Sequence, residues 1–167
     1  MQSPPIKLLT QELLNEVATN SRRNPRGRQN YNFHDLSEKV QRFVNVLQPG
    51  TYVRPHRHLR PDAVNGFEFF VVIQGELGMI IFHENGQILR CLRLSAAGPT
   101  RAVELPEGTI HTIVALAGDT AILEFKEGPY DLGADKDFLT DFPAEGTAEA
   151  RELVAIWEKE FKELTSF

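Results

Sequence analysis

Three histidines and one glutamate carry the clearest chemical signal in this chain. His56 and His58 stand one residue apart in VRPHRHLRPDAVNGFEFFVVIQG, Glu68 opens the apolar run that follows, and His111 comes later in PEGTIHTIVAL. Alternate residues of a β-strand share a face, so an extended chain points His56 and His58 the same way. Glu68 then shares a face with Phe70 and Val72, and His111 with Thr109 and Ile113. A carboxylate in such an apolar segment is costly to bury without a charge or a metal beside it. Glu68 therefore reads either as a metal ligand or as the partner of an arginine such as Arg54. Inside a small barrel the four groups can meet. Three imidazoles and one carboxylate suit one divalent transition metal ion, such as iron, manganese, zinc, nickel or copper. They do not suit calcium, which prefers oxygen ligands throughout.

The remaining chemistry-bearing residues are weighed around that set. Arg22, Arg23, Arg26 and Arg28 precede the β-rich region, and Arg54, Arg57 and Arg60 surround the histidines. Guanidinium groups fork onto carboxylate or phosphate, and the alternative is solvated surface charge. Arg54 shares the histidines' parity and is expected to face a cavity as a substrate contact; Arg57 has the opposite parity and is expected to face outward. Tyr52 also shares that parity, and a phenol near a metal can donate a hydrogen bond or act as an acid. Glu124 and Lys126 share a face in AILEFKEG. On an interior wall Glu124 is a catalytic acid/base candidate and Lys126 a substrate contact. On an exterior wall they are an ordinary surface pair. Asn30 and Asn32 read as turn formers or caps. His83, beside Glu84-Asn85-Gly86, reads as a solvated hairpin residue, and His34 has no ligand spacing. The one cysteine, Cys91 in ILRCLRL, reads as a buried thiol and excludes an intrachain disulfide, which fits a reducing, cytoplasmic setting.

The elements that must position these groups follow from texture. Thr10 can cap a helix from Gln11 to about Ala18, with Leu13, Leu14 and Val17 on one face. NSRRNPRGRQNYNFHDL reads as a loop, because Asn24-Pro25 and Gly27 sit among polar residues. From about Lys39 the runs become short, alternating and rich in β-branched residues: VQRFVNVLQPG, TYVRPHRH, FEFFVVIQG, LGMIIFHENG, QILRCLRL, TRAVELPEG, TIHTIVALAG and TAILEFKEG. Asn85-Gly86 is a hairpin signal, and the recurrent turns argue for an antiparallel sandwich or barrel. DLGADKDFLTDFPAEG reads as a tail, and TAEARELVAIWEKEFKELTSF as an amphipathic helix bearing Leu153, Ile156, Trp157, Phe161 and Leu164. The division is a helix and loop over about 1–38, a β core over about 39–128 and a tail with helix over about 129–167, read as one domain. The chain's 167 residues, 41% hydrophobic and 25% charged with a net charge of −5, show no nucleic-acid signature, membrane span or secretory signal. An exposed sheet edge and apolar end helices make a homodimer the expected assembly.

The stretch from Gly50 through His56, His58 and Glu68 to Gly75 resembles the first cupin motif, G-x5-H-x-H-x3-4-E-x6-G. Nine residues separate His58 from Glu68 where the motif has three or four. Pro106, Gly108 and His111 match the second motif, whose leading glycine is displaced to Gly98 and whose closing asparagine is replaced by Ala115. Beyond the motifs, RQNYNFH, VQRFVNVLQPGTYVRPHRH, PEGTIHT and EFKEGPYD resemble the WbuC-type cupin fold metalloproteins, often encoded among bacterial O-antigen and lipopolysaccharide biosynthesis genes. The resemblance implies a mainly β fold, the cupin double-stranded β-helix or jelly-roll barrel with short end helices. It implies His56, His58, Glu68 and His111 as ligands of one divalent transition metal.

Two functions from different classes fit. One is an isomerase- or epimerase-like enzyme acting on an anionic sugar derivative or carboxylic acid, with an iron-dependent dioxygenase as a variant using the same ligands. The other is a binding module for a carbohydrate or small acid, with no turnover. A titratable group at the metal favours the enzyme. No G-x-S-x-G, P-loop or G-x-G-x-x-G signature competes.

Overall fold

The structure, a computed structural model, describes residues 6–61, 64–129 and 136–163. Helix α1 (Gln11–Arg23) begins where the Thr10 hydroxyl accepts from the Leu13 N–H, satisfying one of the amides that a first helical turn leaves over. It runs past Ala18, where the sequence pattern ended it. Ser21 continues the buried face of Val17 and Ala18 by donating to the Ala18 carbonyl and accepting from Gln48.

Strands follow in the order β1 (Arg28–Asn32), β2 (Val40–Leu47), β3 (His56–Arg57), β4 (Glu68–Gln74), β5 (Glu76–Phe82), β6 (Ile88–Ser95), β7 (Ala102–Leu105), β8 (His111–Ala115), β9 (Thr120–Glu127) and β10 (Asp137–Phe138), before helix α2 (Ala148–Glu163). They form two antiparallel sheets, β1-β2-β9-β4-β7 and β10-β3-β8-β5-β6. This is the mainly β jelly roll with a helix at each end that the sequence reading expects. Among the described residues, no helix is long and apolar enough to cross a membrane.

Three layers of apolar contact hold the elements. Leu47, Phe70, Val72, Leu77, Met79, Leu94, Ile113 and Ile122 fill the space between the sheets. Val17 and Ala18 of α1 cover Val44, Val46 and Ala121 on the outside of the first sheet. Val154, Trp157 and Phe161 of α2 cover Ile80, Phe82 and Val114 on the outside of the second. β8 is therefore buried along its whole length, which is why HTIVA does not alternate with polar residues. Two glycines close turns that need positive φ: Gly86 (φ 77) in the β5–β6 hairpin, and Gly75 (φ 73), where a Cβ would meet Thr120 at 2.7 Å.

Four local expectations change. RQNYN is a strand rather than a loop, because β1 is an edge paired with β2 from Arg28↔Leu47 to Asn32↔Phe43, and a mostly exposed edge needs no apolar alternation. Asp137 and Phe138, read as tail, form a short strand against β3. TYVRPHRH is extended strand only at His56 and Arg57. On α2 the buried residues are Ala150, Val154, Trp157 and Phe161, while Ile156 is exposed; Leu164 lies outside the described residues.

The long segment before Glu68 is fastened at both ends. The Glu107 carboxylate accepts from the Arg60 N–H at 2.6 Å and from the Gly66 N–H, and the Gly108 N–H donates to the His58 carbonyl at 3.0 Å. Gly66 lies so close that a Cβ there would meet the Glu107 side chain at 2.8 Å. The Asn65 N–H donates to Glu127 at 2.8 Å. These contacts return the chain to register, so Glu68 starts β4 opposite Lys126 and Leu105 despite the extra residues.

Candidate metal site and its cavity

His56 and His111 are direct cross-strand partners on β3 and β8, and Glu68 approaches from the facing sheet. His58 Nε2 lies 3.0 Å from one Glu68 oxygen, and His111 Nε2 lies 3.1 Å from the other. One ligand atom from each of His56, His58 and Glu68 falls within 4.8 Å of the others. The imidazole centroids of His56 and His111 are 4.7 Å apart, and those of His56 and His58 5.1 Å. All four residues are buried.

Backbone contacts set the tautomers. His56 Nδ1 meets the Arg54 carbonyl at 2.9 Å, and His111 Nδ1 meets the Thr109 carbonyl at 3.0 Å. A carbonyl only accepts, so each Nδ1 carries the proton and each Nε2 is left for a ligand. His111 Nε2 then faces a carboxylate oxygen, and two lone pairs at that separation need a proton or a cation between them. The donor set thus fits a transition metal, whose binding would displace the proton.

Electrostatics around the group are steep. Burial, followed by the charge of Lys136, holds His56 well below the usual imidazole range, so it stays neutral. Burial acts to raise Glu68, but the His111 charge and hydrogen bonds from His111 and His58 prevail and hold it well below the usual carboxylate range. Glu124 goes the other way. Burial, then the Glu68 charge, push it up to about 8 against Lys126 and Lys136, and it shares a hydrogen bond with Glu68. Two neighbouring carboxyls with opposite shifts divide into a base-like member and a proton-holding one.

A cavity of about 670 Å³ opens beside this group, with Arg28, Arg54, Lys126 and Lys136 in its wall. An inner chamber of about 50 Å³, lined by His56, Glu68 and His111, shares Arg28, Glu124 and Lys136 with it. Lys136 is solvent-accessible as a residue and lines both spaces. Burial lowers its pKa, opposed by Glu124 and reinforced by Lys126 and Arg28.

The structure brings together His56, His58, Glu68, His111, Glu124 and Lys126. Glu124 and Lys126 take the interior wall, 4.0 Å apart, because β9 shows Ile122, Glu124 and Lys126 to the inside and Leu123 to α1. Arg54 lines the cavity, donating to the Leu139 carbonyl at 2.9 Å with its guanidinium 5.4 Å from the Phe138 ring centre. Arg57 faces outward to Glu84 and Asp137. Tyr52 stands apart. Its ring stacks on Trp157 at 6.0 Å, its hydroxyl donates to the Pro143 carbonyl at 2.9 Å, and burial pushes the phenol up to about 12. The parity that linked it to the histidines fails because residues 51–55 are not a strand. Val53 and His56 both turn inward, three positions apart. The sequence reading missed Lys136, which lies in a stretch read as tail. It left Arg28 open between anion recognition and solvated surface charge, and only 13% of that side chain is exposed.

Fold and site together define the class: a cupin-type jelly roll with a buried histidine–glutamate group beside its cavity. Solved structures with this fold include KdgF from a Halomonas species, 22% identical over 65% of this chain and 84% of KdgF, with a TM-score of 0.50. CapF, a capsular polysaccharide assembling protein from Staphylococcus aureus, is 22% identical over 66% of this chain and 29% of CapF, with a TM-score of 0.54. Oxalate decarboxylase of Bacillus subtilis, known for its Mn(II) centres, is 20% identical over 82% of this chain and 34% of its own, with a TM-score of 0.50. The chain thus spans about a third of the last two, and at such identities the likeness is one of fold alone. No curated protein matches it in sequence. The chain belongs to the family described as a domain of unknown function, DUF6016, which matches residues 9–94 and so takes in His56, His58 and Glu68.

Proposed function

We propose that this protein is a metal-dependent enzyme of the WbuC-type cupin kind, acting by isomerase- or epimerase-like chemistry on a small anionic sugar derivative or carboxylic acid. The observation that carries the reading is the position of Glu124, a proton-holding carboxyl inside the barrel, between the histidine–glutamate group and a cationic cavity. His56, His58, Glu68 and His111 would hold one divalent transition metal ion. When bound, such an ion supplies Lewis acidity that polarises a carbonyl or binds a pair of hydroxyls. Arg54 and Arg28 orient the anionic end of the ligand, and Lys126 and Lys136 add positive charge to the wall. Glu124 accepts or returns a proton at the reacting carbon, shielded from bulk water by the sheets. A capsular polysaccharide protein and a decarboxylase of a small dicarboxylate share the fold, which is compatible with ligands of both suggested kinds.

The test combines metal content with proton exchange. Protein purified without a metal-affinity tag is analysed for bound metals beside His56→Ala and His111→Ala, then incubated with acidic sugars in heavy water. A near-stoichiometric transition metal, lost in both variants, and deuterium wash-in that Glu124→Gln abolishes without metal loss are expected. Metal content unchanged in both variants, or exchange indifferent to Glu124→Gln, would overturn the reading.

A further inference from the structure

We infer that the cavity contains a subsite for a doubly charged phosphoryl group, formed by Arg54, Lys136 and Arg28, so that the ligand is a phosphorylated small molecule whose other end reaches the histidine–glutamate group. Resting on the function proposed above, this assigns the class of anion and the residues that read it.

The first observation is charge. The chain as a whole is acidic, at −5, yet the described wall of the large cavity carries Arg26, Arg28, Arg54, Lys126 and Lys136 against only Glu124 and Glu145. Glu145 is already divided between Arg26, with bonds of 2.9 Å to both its oxygens, and Arg28 at 3.1 Å. Glu124 is turned toward Glu68. Arg28, Arg54 and Lys136 stand in that wall beyond the Arg26–Glu145 and Lys126–Glu124 pairs, and a phosphomonoester brings about −1.5 to −2 and three acceptor oxygens to meet them.

The second observation is how Arg54 is held. Its partners among the described residues are neutral: the Leu139 carbonyl and the Phe138 ring. Its Nε is buried without a hydrogen-bond partner. A guanidinium fixed by a carbonyl and an aromatic face keeps its full charge and loses little freedom when an anion arrives.

The third observation is adjacency. Lys136, two residues before Phe138, makes no ion pair with a described residue and lines both the large cavity and the inner chamber. Arg28 also lines both, with its guanidinium anchored on the Tyr52 carbonyl at 2.9 Å. An anion held by these groups places the rest of a sugar-sized molecule next to His56 and His111. Phe43 and Phe138 offer apolar faces in the same wall, and the volume lies in the range of pockets that enclose small ligands.

Calorimetry with inorganic phosphate, acetate, a hexose 6-phosphate and a hexuronate at matched ionic strength tests this on the unmodified protein and on Arg54→Gln, Lys136→Gln and His56→Ala. The expected result is phosphate over acetate, and hexose phosphate over hexuronate, by at least about tenfold. Arg54→Gln and Lys136→Gln should each remove about tenfold of that preference and leave metal content unchanged, the loss that one charge-assisted contact accounts for. Lys136→Gln, at an accessible residue, guards against a folding defect in Arg54→Gln. His56→Ala should keep phosphate binding. Equal affinity for phosphate and acetate, or no loss in either cavity variant, overturns the subsite. Phosphate binding that disappears with the metal in His56→Ala overturns it as well, because the metal would then be the anion site. Phosphate binding intact in a protein that never holds metal keeps the subsite and overturns the proposed enzyme instead.

Discussion

The two ends of the space between the sheets are built from the same strands with opposite chemistry. β4 contributes Val72 and Phe70 to the apolar end and Glu68 to the polar one; β9 contributes Ile122, then Glu124 and Lys126; β8 contributes Ala115 and Ile113, then His111. Two residues along one strand, a hydrophobic side chain that stabilises the fold gives way to a buried ionisable group that costs free energy unless partnered. Stability and chemistry are thus separated along strands, not between elements. The apolar end can hold the barrel while the polar end carries groups that no folding pressure would select.

The largest effect expected from breaking this division is at the apolar end. Leu77 is fully buried among the inter-sheet residues. Leu77→Ala should cost about 2–5 kcal/mol through lost transfer energy and a cavity, read as a fall in midpoint by denaturant unfolding. At the polar end, His111→Ala should abolish metal binding while costing the metal-free protein clearly less than Leu77→Ala. Equal losses of metal-free stability would mean that the polar end also carries the fold.

A smaller effect is expected at the rim. Glu145 joins the segment before α2 to Arg26 and Arg28. Burial acts to raise its carboxyl, but the Arg26 hydrogen bond and the charges of Arg28 and Arg26 outweigh it, and the folded value is lowered. A lowered carboxyl stabilises above the unfolded value of about 4.3 and loses that contribution as pH falls through the folded one. With a third of the side chain exposed, the contribution is about 0.5–1 kcal/mol. Unfolding midpoints of the unmodified protein and Glu145→Gln should differ at pH 7 and converge below about pH 4. A difference that persists or grows in acid would show that the rim is held by something other than this carboxylate.

Legibility in the sequence follows the same division. Strands that bury one face announce themselves by alternation, so β2, β4 and β9 are readable, and so are the face that Glu68 shares with Phe70 and Val72 and the face that Glu124 shares with Lys126, though alternation alone leaves open which face of β9 is the inner one. β1 was unreadable because an edge strand of Arg, Gln, Asn, Tyr and Asn has no apolar face to show. Tyr52 was misplaced because parity is a property of strands, and residues 51–55 are not one. Lys136 had no local signal at all. It reaches the cavity from the position just before β10, through tertiary packing that no periodicity encodes. The site is therefore legible in part: the histidine–glutamate members and the cavity-facing Arg54 follow from the sequence, whereas Lys136, the burial of Arg28 and the choice of the inner face of β9 do not.

The smallest effect is expected on the outer face of α2, and it tests where the apolar layers end. Helical spacing placed Ile156 with Trp157 and Phe161, but one step of about 100° separates neighbours on a helix. The buried set Ala150, Val154, Trp157 and Phe161 defines a stripe that turns Ile156 toward solvent, 53% exposed. An isolated exposed isoleucine stabilises little, so Ile156→Ser should shift the unfolding midpoint by no more than surface substitutions usually do, about 0.5 kcal/mol in free energy. Trp157→Ala, one residue on, removes a ring packed on Tyr52 and Phe82 and should cost several times as much. A loss at Ile156 approaching that at Trp157, and dependent on protein concentration, would mean that a second copy covers this face in solution. The outer layer would then be an interface, and the apolar region would extend beyond the single chain.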